Sequence, residues 1–327
     1  MHKSKSGVGL AGFESHMLVV SGSSGRHIAS GMAELLGCEH HSMEARRFPD
    51  SEGYFRVPPE SIDAMRAGPV VLVSNAYPDS GIIETMLLLE AIRDVREGRL
   101  SDLRDDRGDL DAVGPGVYLA VPYFGYSRQD KRFKRGEAVS AQAIGHLLAG
   151  RCDGIAVLDL HAPSALENLQ VPVVFASSMR EIAQYLQSTV RPDFILSPDK
   201  GAIQRARFVA DEIGCEFSYL EKTRIDAHTI THAAKDLDVE GTIVAIVDDM
   251  ISTGGTICRA SDALREQGAV EVHAACTHGL FTAGAISRLD SHVDGVHATD
   301  SLLNPRGVIP AADALTRAIR SLLSTSD

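Results

Sequence analysis

Short runs of β-branched and other apolar residues alternate along the chain with longer stretches whose apolar positions recur at helical spacing. The runs at 17–21, 70–75, 116–122, 154–160, 194–197, 242–247 and 270–276 predict strands. Most are too continuously apolar to leave one face in water, which is the pattern of strands covered on both sides of a parallel sheet. Helical patterning predicts helices over 25–36, 83–97, 140–149, 202–213 and 256–267. Gly98, Gly150, Gly214 and Gly268 stand just beyond four of these ends, where glycine suits a left-handed cap. The alternation predicts an α/β fold of mainly parallel sheets flanked by helices.

A chain of 327 residues has room for one large or two medium α/β domains. The stretch 71–81, a strand, a loop and a helix start, aligns weakly with 244–254. Two related halves would produce that likeness, and so would chance similarity between two strand-to-helix turns. Residues 98–116 are rich in Asp, Arg and Gly and read as a solvated surface insertion. Residues 1–16 carry two lysines but no sustained apolar core, so they read as a flexible extension.

The formal charge of −12 opposes general attraction to nucleic acid or anionic lipid, so any phosphate site has to be local. No apolar run approaches the roughly 18 residues of a membrane span. Cys38, Cys152, Cys215, Cys258 and Cys276 are scattered and odd in number, with no CxxC pair, which points to a reducing, cytoplasmic setting.

The strand at 242–247 delivers Asp248 and Asp249 to its carboxyl end, where open α/β sheets bind ligands. The residues just beyond them read as a phosphate cradle. Ser252, Thr253 and Thr256 supply hydroxyls, Gly254 and Gly255 let backbone amides approach closely, and the next helix offers unpaired N–H groups to an anion. Two carboxylates ahead of such a cradle suit a sugar phosphate, since the acids can accept from vicinal hydroxyls while the cradle takes the phosphate. A purely structural Asp-rich turn is the alternative. The pattern closely resembles the 5-phosphoribosyl 1-diphosphate motif shared by phosphoribosyltransferases and ribose-phosphate pyrophosphokinases.

Five basic residues, Arg128, Lys131, Arg132, Lys134 and Arg135, crowd into one short segment of an otherwise acidic chain. Such a cluster suits a polyanion the size of a triphosphate, or is a solvated basic loop or a small nucleic-acid patch. Residues 121–133, with Gly136, Glu137, Ser140 and Ala141, resemble the ATP-binding segment of ribose-phosphate pyrophosphokinases, which phosphoribosyltransferases lack. That resemblance implies nucleotide contacts from Arg128, Gln129 and Asp130. Residues 47–52 resemble the same family's adenine-reading loop, which implies stacking by Phe48 and acceptance from the base by Asp50 and Glu52. Members of the family usually have glycine where this chain has Ser51.

His161 comes just after the apolar strand 154–160, and Asp199, Lys200 and Gly201 form another strand-end loop. The resemblance implies that His161 and Asp199 bind the Mg²⁺ accompanying ATP, and that the Asp199 loop faces the transferred diphosphate. Mg²⁺ needs few protein ligands when phosphate oxygens and water complete its shell. Residues 221–226 close a strand and open a segment without clear periodicity that runs to about 237, which reads as a mobile lid or a solvated charged face. In the family, residues matching Lys222 and Arg224 neutralise charge developing on the diphosphate.

The resemblance spans residues 17 to about 303, with loop details closest to archaeal members. It implies two phosphoribosyltransferase-like domains, 17–176 and 177–304, with the C-terminal residues 305–327 packing back on the first. It also implies transfer of the β,γ-diphosphate of MgATP to O1 of ribose 5-phosphate for nucleotide biosynthesis, by a homo-oligomer whose adenine loop reaches a neighbouring subunit. Two rivals are a phosphoribosyltransferase that consumes the diphosphate donor and a non-catalytic homologue that binds nucleotide and regulates a partner.

Overall fold

A computed structural model of the chain describes residues 16–101, 110–224, 230–233 and 237–325, with backbone alone over 221–224 and 230–233. Most of the N-terminal extension and the middle of the 98–116 insertion lie outside the described residues. Two compact units result: Met1–Ala176 with Ala312–Asp327, and Ser177–Ala311.

The first unit runs β1 (Leu18–Ser21), α1 (Arg26–Leu36), β2 (Glu39–Ser42), β3 (Glu44–Arg47), β4 (Gly53–Arg56), α2 (Ile62–Ala67), β5 (Val70–Val73), α3 (Asp79–Arg96), β6 (Val117–Val121), α4 (Ser140–Ala149), β7 (Gly154–Leu158) and β8 (Val173–Ala176). Six strands form a parallel sheet in the order β2-β1-β5-β6-β7-β8, and β3 and β4 pair as a separate antiparallel hairpin. Every residue of β1, β5, β6 and β7 is buried. Leu18, Val20, Leu72 and Leu119 join Leu88, Leu89 and Ile92 of α3 in one core, while the C-terminal helix Ala312–Ser324 packs on α1, β7 and β8. Burial of continuous apolar strands on both faces is what drives this layering.

The second unit continues with α5 (Met179–Thr189), β9 (Phe194–Ser197), α6 (Ile203–Ile213), β10 (Glu216–Tyr219), β11 (Glu221–Arg224), β12 (Ile230–Ala233), β13 (Ile243–Ile251), α7 (Gly255–Glu266), β14 (Glu271–Gly279), α8 (Ala285–Leu289), β15 (Gly295–Thr299) and β16 (Gly307–Ile309). Its parallel sheet has the order β10-β9-β13-β14-β15-β16. Counted within each unit the strand order is the same, and each unit places a two-stranded hairpin between its second and third sheet strands. The stretches 71–81 and 244–254 therefore belong to equivalent third strands and the turns after them, so the weak repeat reflects two copies of one topology.

Some expectations change. Gly98, Gly214 and Gly268 are left-handed, whereas Gly150 has φ −65° and continues the right-handed turn of α4. Residues 221–224, expected to close a strand, form β11, and its antiparallel partner β12 lies within the stretch read as aperiodic. Residues 225–229 and 234–236 of the expected lid lie outside the described residues. The strand β13 extends through Asp248 and Asp249, because backbone pairing to β14 continues to Ile251↔Gly279 whatever the side chains.

Candidate active site

In the second sheet the chain leaves β9 toward β10 on one side and toward β13 on the other. The carboxyl ends of β9 and β13 thus flank the point where the strand order reverses, the usual ligand crevice of an open parallel sheet. The loop after β9 holds Asp199, Lys200 and Gly201, and Gly201 N–H donates to Asp199 Oδ1 at 2.8 Å. From β13 come Asp248 and Asp249.

Asp249 is only 3% exposed, and Arg205 on α6 sets its Nη1 3.7 Å from Asp249 Oδ2. Asp249 N–H donates to Asp248 Oδ1 at 2.8 Å. Burial pushes the Asp248 carboxyl well above the ordinary carboxylate range, and the charges of Asp249 and Asp199 add to the push. The structure therefore brings Asp199, Asp248, Asp249 and Arg205 together. Carboxyls crowded this closely gain from a cation or from hydroxyl donors, both of which a metal-bound sugar phosphate would bring.

The cradle is held from behind. Thr282 N–H donates to Ser252 O at 3.0 Å, the Ser252 and Thr282 hydroxyls meet at 3.1 Å, and Arg288 Nη1 donates to Thr253 O. Gly254 takes φ 75° at the start of α7, and the first internal helix bond is Cys258 N–H to Gly254 O. The N–H groups of Gly255, Thr256 and Ile257 precede that bond and have no helical acceptor. Their unpaired ends make a place for an anion.

The first unit carries the remaining candidates. The hairpin β3–β4 presents Phe48, Asp50, Ser51 and Glu52. Phe48 is 42% exposed, packs edge-on to Tyr54 with ring centres 5.9 Å apart, and lies beneath the Arg46 guanidinium. Ser51 has φ 76°, a left-handed conformation that glycine adopts more readily than serine. Glu52 N–H donates to Asp50 Oδ1, and Arg47 Nη1 to Ser51 O, both at 3.0 Å.

In the segment after β6, Arg128 is exposed and Gln129 and Asp130 are half-buried. Glu137 organises the loop by accepting the N–H groups of Phe133 and Lys134 at 2.8 and 2.9 Å, bonds that hold its carboxyl below the usual range. Gln129 Nε2 donates to Lys131 O at 3.1 Å, which gives this side chain a structural bond within the loop. His161 is exposed beyond the carboxyl end of β7, two residues after Asp159 with φ 37°. Lys222 and Arg224 lie on β11, the hairpin strand topologically equivalent to β3.

Patterning missed Arg288, Thr282, Asn75 and Glu84. Glu84 is buried and accepts both the N–H and the hydroxyl of Ser23, at 2.5 and 2.6 Å, in the loop after β1. No local signal marks such residues, since each acts on a loop far away in sequence.

Residues 167–296 match the model of the phosphoribosyl transferase domain family. The chain is 36% identical over 311 residues to the ribose-phosphate pyrophosphokinase of Methanopyrus kandleri, covering 94% of this chain and 99% of that one. It is 38% identical to the enzyme of the same name from Methanothermobacter thermautotrophicus, over 87% of this chain and 93% of that one. The chain belongs to the ribose-phosphate pyrophosphokinase family. Among solved structures it is similar to the phosphoribosylpyrophosphate synthetase of Mycobacterium smegmatis, with a TM-score of 0.75 and 25% identity over 94% of this chain and 99% of that one. The family is an enzyme family of the transferase, kinase type. No helix among the described residues is long and apolar enough to cross a membrane.

Proposed function

We propose that this chain transfers the β,γ-diphosphate of ATP to O1 of ribose 5-phosphate, giving 5-phosphoribosyl 1-diphosphate and AMP. The observation that carries the reading is the acid pair of half-buried Asp248 and buried Asp249 at the strand-order reversal, ahead of the 252–256 cradle. Asp248 and Asp249 accept from the ribose 2- and 3-hydroxyls, and the cradle N–H and hydroxyl groups hold the 5-phosphate. Phe48, Asp50 and Glu52 read the adenine, and Arg128, Gln129 and Asp130 serve the nucleotide.

O1 attacks the β-phosphorus, the bond from that phosphorus to the bridging oxygen of the α-phosphate breaks, and AMP leaves with that oxygen. The O1 proton passes to solvent, and no covalent enzyme intermediate forms. Lys222 and Arg224 neutralise charge on the transferring diphosphate, and Lys200 and the Gly201 N–H border it. The proposed Mg²⁺ ligands are His161 and Asp199, and the carboxyl-rich surroundings of Asp199 support a cation there. When bound, Mg²⁺ supplies positive charge to the diphosphate oxygens.

We further infer a cytoplasmic homo-oligomer. The exposed Phe48 ring supports an adenine loop that serves a neighbouring subunit, and the absence of a disulfide among the five cysteines supports a reducing compartment. Sedimentation at assay concentration tests the first point, and a fully active monomer would refute it. Purified protein incubated with MgATP and ribose 5-phosphate should release AMP and 5-phosphoribosyl 1-diphosphate in equal amounts. Absence of AMP sinks the main proposal. Consumption of added 5-phosphoribosyl 1-diphosphate with a free base would favour the phosphoribosyltransferase rival instead.

A further inference from the structure

The exposed Arg128 inherits its position from the backbone beneath it, and that backbone is fastened chiefly to the turn of the first unit that joins β5 to α3, with one further bond from Ala141 N–H of α4 to Gln129 O at 3.3 Å. Asn75, 6% exposed, accepts Tyr123 N–H at 2.9 Å through Oδ1, and its own N–H donates to Ser24 Oγ at 3.1 Å. Ala76 N–H donates to Tyr123 O, and Gly125 N–H donates to Ala76 O, each at 3.1 Å. The approach is so close that a Cβ on Gly125 would stand 2.6 Å from Ala76 O. Beyond this bridge Tyr126 takes φ 60°, a left-handed conformation unusual for a bulky side chain. Its carbonyl accepts Gln129 N–H at 2.9 Å and closes the turn that carries Arg128, while its hydroxyl donates to Asp79 Oδ1 at 2.7 Å. Asp79 is the first residue of the 18-residue helix α3, a rigid anchor.

We propose that Tyr126 and Asp79 are positioning residues that hold the Arg128 turn in its nucleotide-binding geometry. The idea rests on the nucleotide role proposed above for Arg128. A non-glycine residue persists in a left-handed turn when its surroundings over-determine it, and such strain concentrates where a loop must present a group accurately. Here the bridge at Ala76 fixes one end of the segment, and the phenol-to-carboxylate bond fixes the twist at the residue that opens the turn. Loss of that bond frees the turn to sample other conformations, and the cost falls on nucleotide binding because Arg128 must then be ordered on binding. Ribose 5-phosphate, proposed to bind residues of the second unit, has no reason to respond.

The test uses the full-length chain with Tyr126→Phe, Asp79→Ala, the double variant, Asp79→Asn and Arg128→Ala. KM for ATP, KM for ribose 5-phosphate, kcat and the thermal midpoint are measured for each. Tyr126→Phe and Asp79→Ala should each raise KM for ATP about three- to tenfold. KM for ribose 5-phosphate and the thermal midpoint should stay unchanged. The double variant should match either single one, and Asp79→Asn, which keeps an acceptor oxygen, should stay close to the parent. If Arg128→Ala raises KM for ATP while Tyr126→Phe and Asp79→Ala do not, the positioning role is overturned and the nucleotide reading stands. If Arg128→Ala also leaves KM for ATP unchanged, the nucleotide reading itself fails and the positioning role falls with it.

Discussion

Replacing Gly254 with alanine tests the backbone requirement of the sugar-phosphate cradle. Gly254 has φ 75°, where an L side chain costs about 1–2 kcal/mol. A Cβ there would stand 2.9 Å from Leu289 Cγ and 3.1 and 3.2 Å from its two methyl carbons. Leu289 has no exposed surface and cannot swing aside, and overpacking of this kind costs about 1–3 kcal/mol. Gly254→Ala should therefore destabilise the second unit by about 2–5 kcal/mol. The loop can relieve the clash only by moving off α8, which displaces the N–H groups at the start of α7. KM for ribose 5-phosphate should then rise by about tenfold or more, roughly the loss of one charge-assisted hydrogen bond, with a smaller change in KM for ATP. The chain has no tryptophan, so urea unfolding is followed by far-UV circular dichroism alongside the kinetics. Pairing the substitution with Leu289→Ala separates the two causes. Relief of the clash should make the double variant less destabilised than the two singles combined. Strict additivity would remove Leu289 from the explanation, and an unchanged urea midpoint together with an unchanged KM would refute the reasoning as a whole.

The same structure leads to three further expected outcomes. Lys222→Ala should lower kcat by about 10²–10³ with little change in KM for ATP, measured by AMP release, and equal turnover would exclude the proposed role. Arg205→Ala removes the cation 3.7 Å from the buried Asp249 carboxylate, so KM for ribose 5-phosphate should rise. A KM equal to the parent's would count against it. Burial, with the neighbouring His273 and Arg306 charges, lowers His297 from 6.5 to about 4. The unfolded chain then holds more protons than the folded one between those values, so this contribution is present above pH 6.5 and is lost as pH falls toward 4. After allowance for solvent screening the loss should be about 1–3 kcal/mol, and His297→Asn should flatten that part of the curve of stability against pH.

The match between pattern and structure varies for identifiable reasons. Helix 140–149 and strand 194–197 coincide with α4 and β9, where periodicity and burial agree. The strand β2 carries no apolar signal because its residues, Glu39, His40, His41 and Ser42, are polar, and backbone pairing to β1 alone makes it a strand. Helix α5 and the C-terminal helix stand outside the predicted set although both bury an apolar face. The left-handed turn at Ser51 runs against that residue's own preference, and hydrogen bonds from Ser51 N–H to Phe48 O and from Arg47 to Ser51 O support it.

By itself the sequence determined the α/β class, the family, and the acid pair followed by a glycine cradle, because these depend on residue order within one strand, loop and helix. Tertiary structure decided the rest. Only strand order puts the ends of β9 and β13 side by side and so brings Asp199 toward Asp248. Burial and the neighbouring charges of Asp249 and Asp199 raise the Asp248 carboxyl above its ordinary range, and distant residues, Arg205 at Asp249 and Thr282 and Arg288 at the cradle, supply charges and bonds that hold the site. Such contacts join residues tens of positions apart, and their energies depend on distance and burial, which no local pattern encodes.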